Sequence, residues 1–220
     1  MNATYCITVA VVSLLACGGQ DAPPPRSSGP APGAVEGAPV ILVVGTSLTA
    51  GYGLDPERAW PAALERRLRA AGLPHRVAAA GVSGETSAGA LRRVDWLLER
   101  EHPAVFVLET GGNDGLRGLD PDTLRANLLA VLRRAATLDP APRLALLAME
   151  APPNYGRRYT ERFRAAYVEA ARETGAVLIP FFLDGVAGVD TLNLPDGIHP
   201  TPAGHERAAE NVWRVLARLL

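Results

Sequence analysis

The sequence predicts an α/β domain, a three-layer α/β/α sandwich around a five-stranded parallel sheet. Two observations lead to this fold class. From Val40 onward, five short apolar runs alternate with five longer amphipathic stretches. The loops that follow several of the apolar runs are rich in Gly, Ser, Asn and Asp. Strands that are each followed by a helix form parallel sheets with helices on both faces.

The predicted strands are short and mostly apolar: Val40–Val44, Arg76–Ala80, Ala104–Glu109, Arg143–Met149 and Ala176–Pro180. The predicted helices show apolar residues at helical spacing: Ala59–Ala71, Ser87–Arg100, Thr123–Ala136, Tyr159–Thr174 and Pro202–Leu219. Asp120-Pro121 is typical of a helix start, with Asp as the cap and Pro in the first turn. Ligands of such sheets bind beyond the carboxyl ends of the strands, so the loops there are the places to search for chemistry.

The N-terminal segment predicts targeting instead of fold. Ile7–Ala16 is apolar but shorter than the roughly 20 residues that span a bilayer, as in a secretory signal at residues 1–17. The run ends in LLAC, which resembles a bacterial lipobox with Cys17 as the lipidated residue, although no Lys or Arg precedes it. A plain cleaved signal remains the alternative. Residues 18–39, rich in Pro, Gly, Ala and Ser, are expected to form a tether before a domain at 40–220.

Charge and composition exclude several classes. A formal net charge of −1 argues against a nucleic-acid-binding protein. All 22 basic residues are arginine, which excludes lysine nucleophiles and the lysine of a phosphate-binding P-loop. No pair of histidines stands at ligand spacing with a carboxylate, so we expect no metal and no cofactor. The expected partner is a small substrate, and the expected oligomeric state is a monomer.

Four loops carry residues that suit nucleophilic catalysis. Ser47 follows the first predicted strand, Gly84 the second and Asn113 the third, and DGIHP places Asp196 three residues before His199. Each loop by itself is typical of an ordinary turn or helix cap. Together they would bring a hydroxyl, a backbone N–H, a carboxamide and an imidazole with its carboxylate to one edge of the sheet. A serine hydroxyl needs such a base to react near neutral pH.

These blocks resemble the SGNH (GDSL-type) hydrolase family. GTSL, SGETS, GGND and DGIHP occur in the family's order over about Val40–Leu220. GYG with Trp60-Pro61, GGNDGLRG and APPNYGRRY resemble the bacterial acyl-CoA thioesterase, lysophospholipase and arylesterase subfamily. The resemblance implies a flavodoxin-like SGNH hydrolase fold and a serine esterase that cleaves esters or thioesters through an acyl-enzyme.

The resemblance also implies residue roles. Ser47 corresponds to the nucleophile, His199 to the general base and Asp196 to the group that orients it. The oxyanion donors would be the N–H groups of Ser47 and Gly84 and the side chain of Asn113. Substrate-binding residues at the mouth are expected in the loop 182–194 and at Leu48, Tyr52, Pro153, Tyr155 and Ile198.

Four further residues have expected roles. The family's Asp before the serine is Thr46 here, which predicts altered local hydrogen bonding without lost chemistry. Asp114 is expected to brace the GGND turn. His102 is expected at the opposite end from the chemistry, and His205 on the surface of the last helix.

Two alternatives to the esterase stay open: a carbohydrate acetylesterase of the same fold, and a non-catalytic surface lipoprotein. An α/β-hydrolase is rejected because Ser47 lacks the G-x-S-x-G elbow. A nucleotide-binding module is rejected because the Gly-rich loops lack its spacing. The expected location is outside the cytoplasm, either periplasmic or anchored to a bacterial membrane through a lipid on Cys17.

Overall fold

A computed structural model describes residues 37–220 and contains the predicted parallel sheet. The sheet has the order β2-β1-β3-β4-β5, and every neighbouring pair of strands is parallel. The strands are β1 Val40–Gly45, β2 Arg76–Gly81, β3 Val105–Glu109, β4 Arg143–Leu147 and β5 Val177–Ile179. The fold class predicted from the sequence is therefore confirmed.

Helices cover both faces of this sheet. They are α1 Ser47–Ala50, α2 Trp60–Ala70, α3 Ser87–Glu101, α4 Gly112–Leu116, α5 Pro121–Ala136, α6 Arg157–Thr174 and α7 Pro202–Leu216. Helices α3, α5 and α6 pack side by side on one face, and α2 packs against α7 on the other. This division follows from the strand order, because the crossover into β2 runs in the opposite direction from those into β3, β4 and β5.

The two central strands are the most apolar and the most buried. Every residue of β1 and of β3 is buried, because helices cover both of their faces. The edge strand β2 is Ala-rich and only half-buried. Phe106 of β3 is among the largest wholly buried side chains, as are Trp60, Phe163 and Tyr167 on the surrounding helices. The core therefore fixes the positions of the strand ends that carry the candidate site.

Element boundaries differ from the prediction by a few residues. Strand β4 ends at Leu147 instead of Met149, and β5 has only three residues. Helix α5 begins at Pro121, because the Asp120 side chain accepts a hydrogen bond from the Asp122 N–H and caps the first turn. The last helix, α7, ends at Leu216 and is followed by a 3-10 turn.

The strand order reverses between β1 and β3, and that reversal positions the site. β2 lies on one side of β1, whereas β3, β4 and β5 follow on the other. The loops that leave the carboxyl ends of β1 and β3 therefore diverge, which opens a crevice where ligands of doubly wound sheets bind. Ser47 and Asn113 lie in the short helices α1 and α4, with which these two connections begin.

The predicted signal, with Cys17 at its end, and most of the predicted tether lie outside the described residues. These assignments therefore stay predictions. Within residues 37–220, no helix combines the length and apolar character needed to cross a bilayer. In the same range, no three His, Cys, Asp or Glu side chains are grouped as metal ligands.

Candidate active site

Ser47 lies at the point where the central strand β1 turns into the one-turn helix α1. Thr46 is extended, with φ −103° and ψ −151°, and Ser47 is the first helical residue. The residue is only 8% exposed. Because Ser47 begins a helix, its N–H has no partner inside that helix. Its N–H is therefore available for other contacts at the mouth of the crevice.

The structure brings Ser47, His199 and Asp196 into one row. Ser47 Oγ lies 2.9 Å from His199 Nε2, although the two residues are 152 positions apart in the sequence. His199 Nδ1 lies 2.7 Å from Asp196 Oδ2. In the tautomer protonated on Nδ1, the imidazole donates to Asp196 and accepts from the Ser47 hydroxyl. This is the geometry of a serine nucleophile with its base and the base's orienting group.

The DGIHP loop is held in shape by its own aspartate. Oδ1 of Asp196 accepts hydrogen bonds from the N–H of His199 at 3.0 Å and of Ile198 at 2.9 Å. The loop turns at Gly197, whose φ of +69° favours glycine. The backbone N–H and the ring of His199, followed by the Ile198 N–H, lower the pKa of Asp196 to about 2. Asp196 is therefore an anion at neutral pH and stabilises a charged His199 ring.

Tyr52 packs against the ring of His199. The two ring centroids lie 4.4 Å apart and the planes are inclined by 32°. Tyr52 is 51% exposed, so its other face is open to solvent. The sequence predicts Tyr52 at the substrate mouth; in the structure its ring contacts the imidazole.

The three expected oxyanion donors lie on neighbouring loops. Gly84 has φ +76°, a conformation that glycine adopts without strain. Neither its N–H nor that of Ser47 has a protein acceptor within the described part of the chain. Asn113 donates one amide N–H to the Glu85 carbonyl at 3.0 Å. Its second N–H stays available for a ligand.

An arginine ties the Gly84 loop to the sheet. Nη2 of Arg93, on α3, donates to the carbonyls of Ala80 at 2.9 Å and Gly45 at 3.1 Å, at the ends of β2 and β1. Its Nε and Nη2 both donate to the Glu85 carboxylate. These contacts hold the loop that carries Gly84 against the strand that precedes Ser47. Neither residue of this pair was predicted from the sequence.

Asp114 braces the GGND turn as expected. Its carboxylate accepts from the Ser87 N–H at 2.9 Å and from the Ser87 hydroxyl at 2.6 Å. The carboxylate thus caps α3, whereas the side chain of Thr86, in the N-cap position, makes no capping bond. Arg117 adds a second link, because Nη2 donates to the Gly84 carbonyl at 2.9 Å. Asn113 and Gly84 are therefore held together.

The predicted surface position of His205 is wrong. The residue is 1% exposed, and its Nδ1 accepts a hydrogen bond from the backbone N–H of Trp60 at 3.2 Å. Burial, with the nearby charge of His199, lowers the pKa of His205 to about 4. His205 is therefore a neutral structural residue that joins α7 to α2. His102 ends α3 in a left-handed conformation with φ +42°, at the opposite end of the sheet from Ser47.

The predicted apolar mouth is only partly where the sequence placed it. Leu48 is 6% exposed and packs into the core, since α1 turns its side chain inward. Phe182, Leu183 and Val186 of the loop 182–194 are likewise buried. These side chains fill the core, because an apolar loop residue packs inward wherever the core has space for it, whereas residues 187–192 of the same loop are exposed or half-buried.

The remaining mouth residues are on the surface. Pro153 and Tyr155 form a short 3-10 turn, from which the Tyr155 hydroxyl donates to the Leu116 carbonyl at 3.0 Å. Ile198 is exposed between Asp196 and His199. Tyr155 thus joins its turn to α4, and Ile198 directly precedes His199 on the DGIHP loop.

A wholly buried glutamate below Ser47 was not predicted. Glu109 is the last residue of β3 and accepts hydrogen bonds from the Thr46 N–H at 2.8 Å and the Thr46 hydroxyl at 2.9 Å. Thr46, at the position of the family's Asp, therefore donates to this buried carboxyl through both its N–H and its hydroxyl. The available signal was a single acidic residue at the end of the otherwise apolar run VFVLE.

The fold and the Ser–His–Asp row together define a serine hydrolase with a doubly wound sheet. The chain belongs to the GDSL-like Lipase/Acylhydrolase family, whose sequence model matches residues 43–207. The predicted family is thereby confirmed.

Its relatives include proteins of the predicted subfamily. The chain is 45% identical to Esterase TesA of Pseudomonas aeruginosa over 183 residues, which cover 83% of this chain and 90% of that protein. It is 38% identical to Thioesterase 1/protease 1/lysophospholipase L1 of Escherichia coli strain K12 over 165 residues, covering 74% and 76% respectively. The crystal structure of AlinE4, an SGNH-hydrolase family esterase, superposes with a TM-score of 0.69 and 39% identity, covering 83% of this chain and 97% of that one.

Proposed function

We propose that this chain is a serine esterase that hydrolyses carboxylic esters or thioesters of acyl or aryl groups through an acyl-enzyme. One observation carries the proposal: Ser47 Oγ lies 2.9 Å from His199 Nε2, whose Nδ1 lies 2.7 Å from the Asp196 carboxylate. Both distances are within hydrogen-bond reach before any substrate binds.

The first half of the reaction acylates Ser47. Oγ attacks the carbonyl carbon of the substrate while His199 Nε2 takes the hydroxyl proton. The carbonyl oxygen becomes an oxyanion, and the imidazolium is stabilised by the Asp196 anion. When the tetrahedral intermediate collapses, the C–O or C–S bond breaks and His199 returns the proton to the leaving alkoxide or thiolate. Ser47 then carries the acyl group.

Three donors are proposed to bind the oxyanion: the N–H groups of Ser47 and Gly84 and the Asn113 carboxamide. All three are uncharged, so none has to change protonation during the reaction. Each such donor contributes roughly 3 kcal/mol of transition-state stabilisation in mutational tests of this kind of site. The contacts of Asn113 with the Glu85 carbonyl and of Arg117 with the Gly84 carbonyl support the proposal, because they hold these donors before substrate arrives.

The second half releases the acid. A water molecule loses a proton to His199 and attacks the acyl carbon, and the same donors stabilise the second oxyanion. Collapse breaks the bond to Ser47, and His199 protonates Oγ. The row of three side chains is thus restored, and one water molecule has been consumed.

Acyl and aryl groups are the proposed substrates because apolar and aromatic side chains are exposed on the loops around the site. Tyr52 and Ile198 are exposed beside His199, and Tyr155 is exposed at the loop that contacts α4. A sugar would need more polar partners than these side chains offer. The relatives named esterase and thioesterase/lysophospholipase agree with this substrate class.

The test combines activity with covalent labelling. Hydrolysis of short-chain and long-chain p-nitrophenyl esters and of an acyl thioester is measured alongside reaction with a fluorophosphonate probe. Wild type is expected to turn over the esters and bind one probe per chain. Ser47→Ala should do neither, whereas Thr137→Ala, which removes a hydroxyl at the far end of α5, should do both. A folded wild type that stays unlabelled would favour a non-catalytic protein, and a clear preference for acetylated sugars would favour a carbohydrate acetylesterase.

We also propose that the catalytic domain, residues 40–220, acts outside the cytoplasm on a tether of residues 18–39, anchored by a lipid on Cys17. The support is the apolar run before LLAC and the Pro- and Gly-rich segment that follows it. Cys17→Ala should move the protein from the membrane fraction to the soluble fraction and abolish incorporation of labelled palmitate. Equal membrane binding of wild type and Cys17→Ala would contradict the anchor and leave a plain cleaved signal. Size-exclusion chromatography of the domain should show a monomer.

A further inference from the structure

Glu109 is a buried carboxyl directly beneath the loop that carries Ser47. Its side chain has no exposed surface, and it ends β3, the strand next to β1. A charge is costly in such a place unless it is paired. Within residues 37–220 no Arg or His forms an ion pair with Glu109. The carboxyl is therefore satisfied by hydrogen bonds alone.

All of those hydrogen bonds come from residues that flank Ser47. Oε2 accepts from the Thr46 N–H at 2.8 Å and from the Thr49 hydroxyl at 2.8 Å. Oε1 accepts from the Thr46 hydroxyl at 2.9 Å. One carboxyl thus holds the residue before Ser47 and the residue two positions after it.

Gly45 shows how tightly this cluster is packed. A Cβ on Gly45 would lie 2.0 Å from Thr49 Oγ1 and 2.7 Å from Glu109 Oε2. The Glu109 carboxyl and the Thr49 hydroxyl therefore occupy the space under the turn that a side chain at position 45 would need.

These contacts limit how the turn can move. The Ser47 N–H and Oγ project from a segment whose two ends are both fixed to Glu109. A rotation of the Gly45–Thr46 peptide would break the bond from the Thr46 N–H, and a shift of Thr49 would break the bond from its hydroxyl. Either change leaves a buried polar group without its partner, which is costly. An error of about 1 Å in the position of a reacting atom can lower a rate about 100-fold.

We propose that Glu109 is a positioning residue of the active site: through Thr46 and Thr49 it orients the Ser47 hydroxyl toward His199 and the Ser47 N–H toward the oxyanion. The inference rests on the proposed esterase function. Glu109 touches no substrate and transfers no proton in this role. What it supplies is two acceptor oxygens at fixed positions.

A glutamine can supply nearly the same contacts. Its amide oxygen can take the place of Oε2 and accept from the Thr46 N–H and the Thr49 hydroxyl, while its NH₂ donates to the Thr46 hydroxyl. Burial raises the pKa of Glu109 to about 7, so the wild-type carboxyl already spends part of its time neutral near physiological pH. Methionine has similar length but no oxygen acceptor, and leaves the three donors unpaired.

The experiment compares Glu109→Gln with Glu109→Met and uses kcat, KM and the rate of fluorophosphonate labelling as readouts. Glu109→Gln is expected to keep kcat within about 3-fold of wild type. Glu109→Met is expected to lower kcat and the labelling rate about 100-fold with KM nearly unchanged, because the lost interaction acts in the transition state.

A pair of threonine variants provides the matched control. Thr49→Val and Thr160→Val make the same change in buried residues, but the Thr160 hydroxyl donates to the Arg157 carbonyl in α6 and not to Glu109. We expect Thr49→Val to lower kcat about 10-fold and Thr160→Val less than 2-fold, since one lost neutral hydrogen bond at the site corresponds to about that factor. Similar melting temperatures for the two variants would separate positioning from general loss of stability.

Each result has a clear reading. If Glu109→Met is folded and reacts at the wild-type rate, the inference is wrong. It is also wrong if Thr49→Val and Thr160→Val lose kcat equally, and this pair decides the matter if Glu109→Met does not fold. A Glu109→Gln variant as slow as Glu109→Met would show that charge matters and not acceptor geometry, which overturns the role stated here. If wild type itself does not label, it is the esterase proposal that fails.

Discussion

The substitution Glu109→Gln should make stability depend on pH in a new way. Glu109 has a pKa of about 7 in the folded protein, against an ordinary value of 4.5, and burial is the main cause. Hydrogen bonds from Thr46 and Thr49 act in the opposite direction but do not outweigh burial. Between these two pH values the folded protein holds a proton that the unfolded chain has released.

The sign and size of the effect follow from linkage. Where the folded state binds more protons than the unfolded state, the free energy of unfolding falls as the pH rises. Glu109 therefore contributes most below pH 4.5, and its contribution is lost by about pH 7. The difference between the two pKa values corresponds to about 3 kcal/mol. This is a large part of the stability of an ordinary domain.

A second buried group works in the opposite direction. His205 has its pKa lowered to about 4, so the folded protein binds fewer protons there, and stability rises with pH up to about 6.5. The two effects partly cancel in wild type. The informative quantity is thus the difference between wild type and Glu109→Gln, in which His205 cancels. Two other ionisable side chains contact the residues next to Glu109 and Thr46: Tyr167 of α6 donates to the Thr110 carbonyl, and Arg93 of α3 donates to the Gly45 carbonyl. Both are present in wild type and in the variant, so their contributions cancel as well.

The assay is urea unfolding of both proteins at pH values from 4.5 to 8. The stability of wild type relative to Glu109→Gln is expected to fall by about 3 kcal/mol between pH 4.5 and pH 7.5, with most of the change near pH 6. Glu109→Gln alone should become more stable over the lower part of this range, because the titrations of His205 and His75 remain, and the pKa of each is lowered in the folded protein. Parallel curves for the two proteins would refute the raised pKa of Glu109.

Three further predictions concern the site and its support. His199→Ala should lower kcat as severely as Ser47→Ala, at least about 10⁴-fold. Asp196→Ala should lower kcat less, since water can partly replace an orienting group. Steady-state kinetics on one ester measures the three losses, and an equal loss in Asp196→Ala and His199→Ala would count against this order. Asn113→Ala should lower kcat about 100-fold or more with little change in KM, and a loss confined to KM would mean that Asn113 binds the ground state. His205→Leu should cost about 1–3 kcal/mol of stability, because it leaves the buried Trp60 N–H without an acceptor; thermal unfolding measures it, and an unchanged melting temperature would contradict the role given to His205.

Much of the fold was predictable because its signals are local. Buried parallel strands need continuous apolar runs, and amphipathic helices need their own periodicity, so both patterns are visible in the sequence. The Asp120-Pro121 start of α5 is another local signal, since the cap and the proline lie next to each other. The DGIHP loop is similar: Asp196 and His199 are three residues apart, which is close enough for a bond that the loop itself shapes.

Residues whose role depends on partners far along the chain were harder to predict. Leu48 and Phe182 were expected at the mouth but fill the core, because hydrophobicity does not say which of two apolar environments a loop residue enters. His205 was expected on the surface, yet it is the buried acceptor for the Trp60 N–H, 145 residues away. Nothing near either residue in the sequence indicates the other.

By itself, the sequence determined the sheet, its covering helices and the loops that carry Ser47, Asn113 and His199, because periodicity and turn chemistry are properties of neighbouring residues. Only the tertiary structure decided that the end of β3 places a carboxyl under the Ser47 turn, where Thr46 and Thr49 satisfy it. The reason is physical: the pKa of a buried carboxyl and the position of a nucleophile depend on what surrounds them in space, and that is settled when strands distant in the sequence become neighbours.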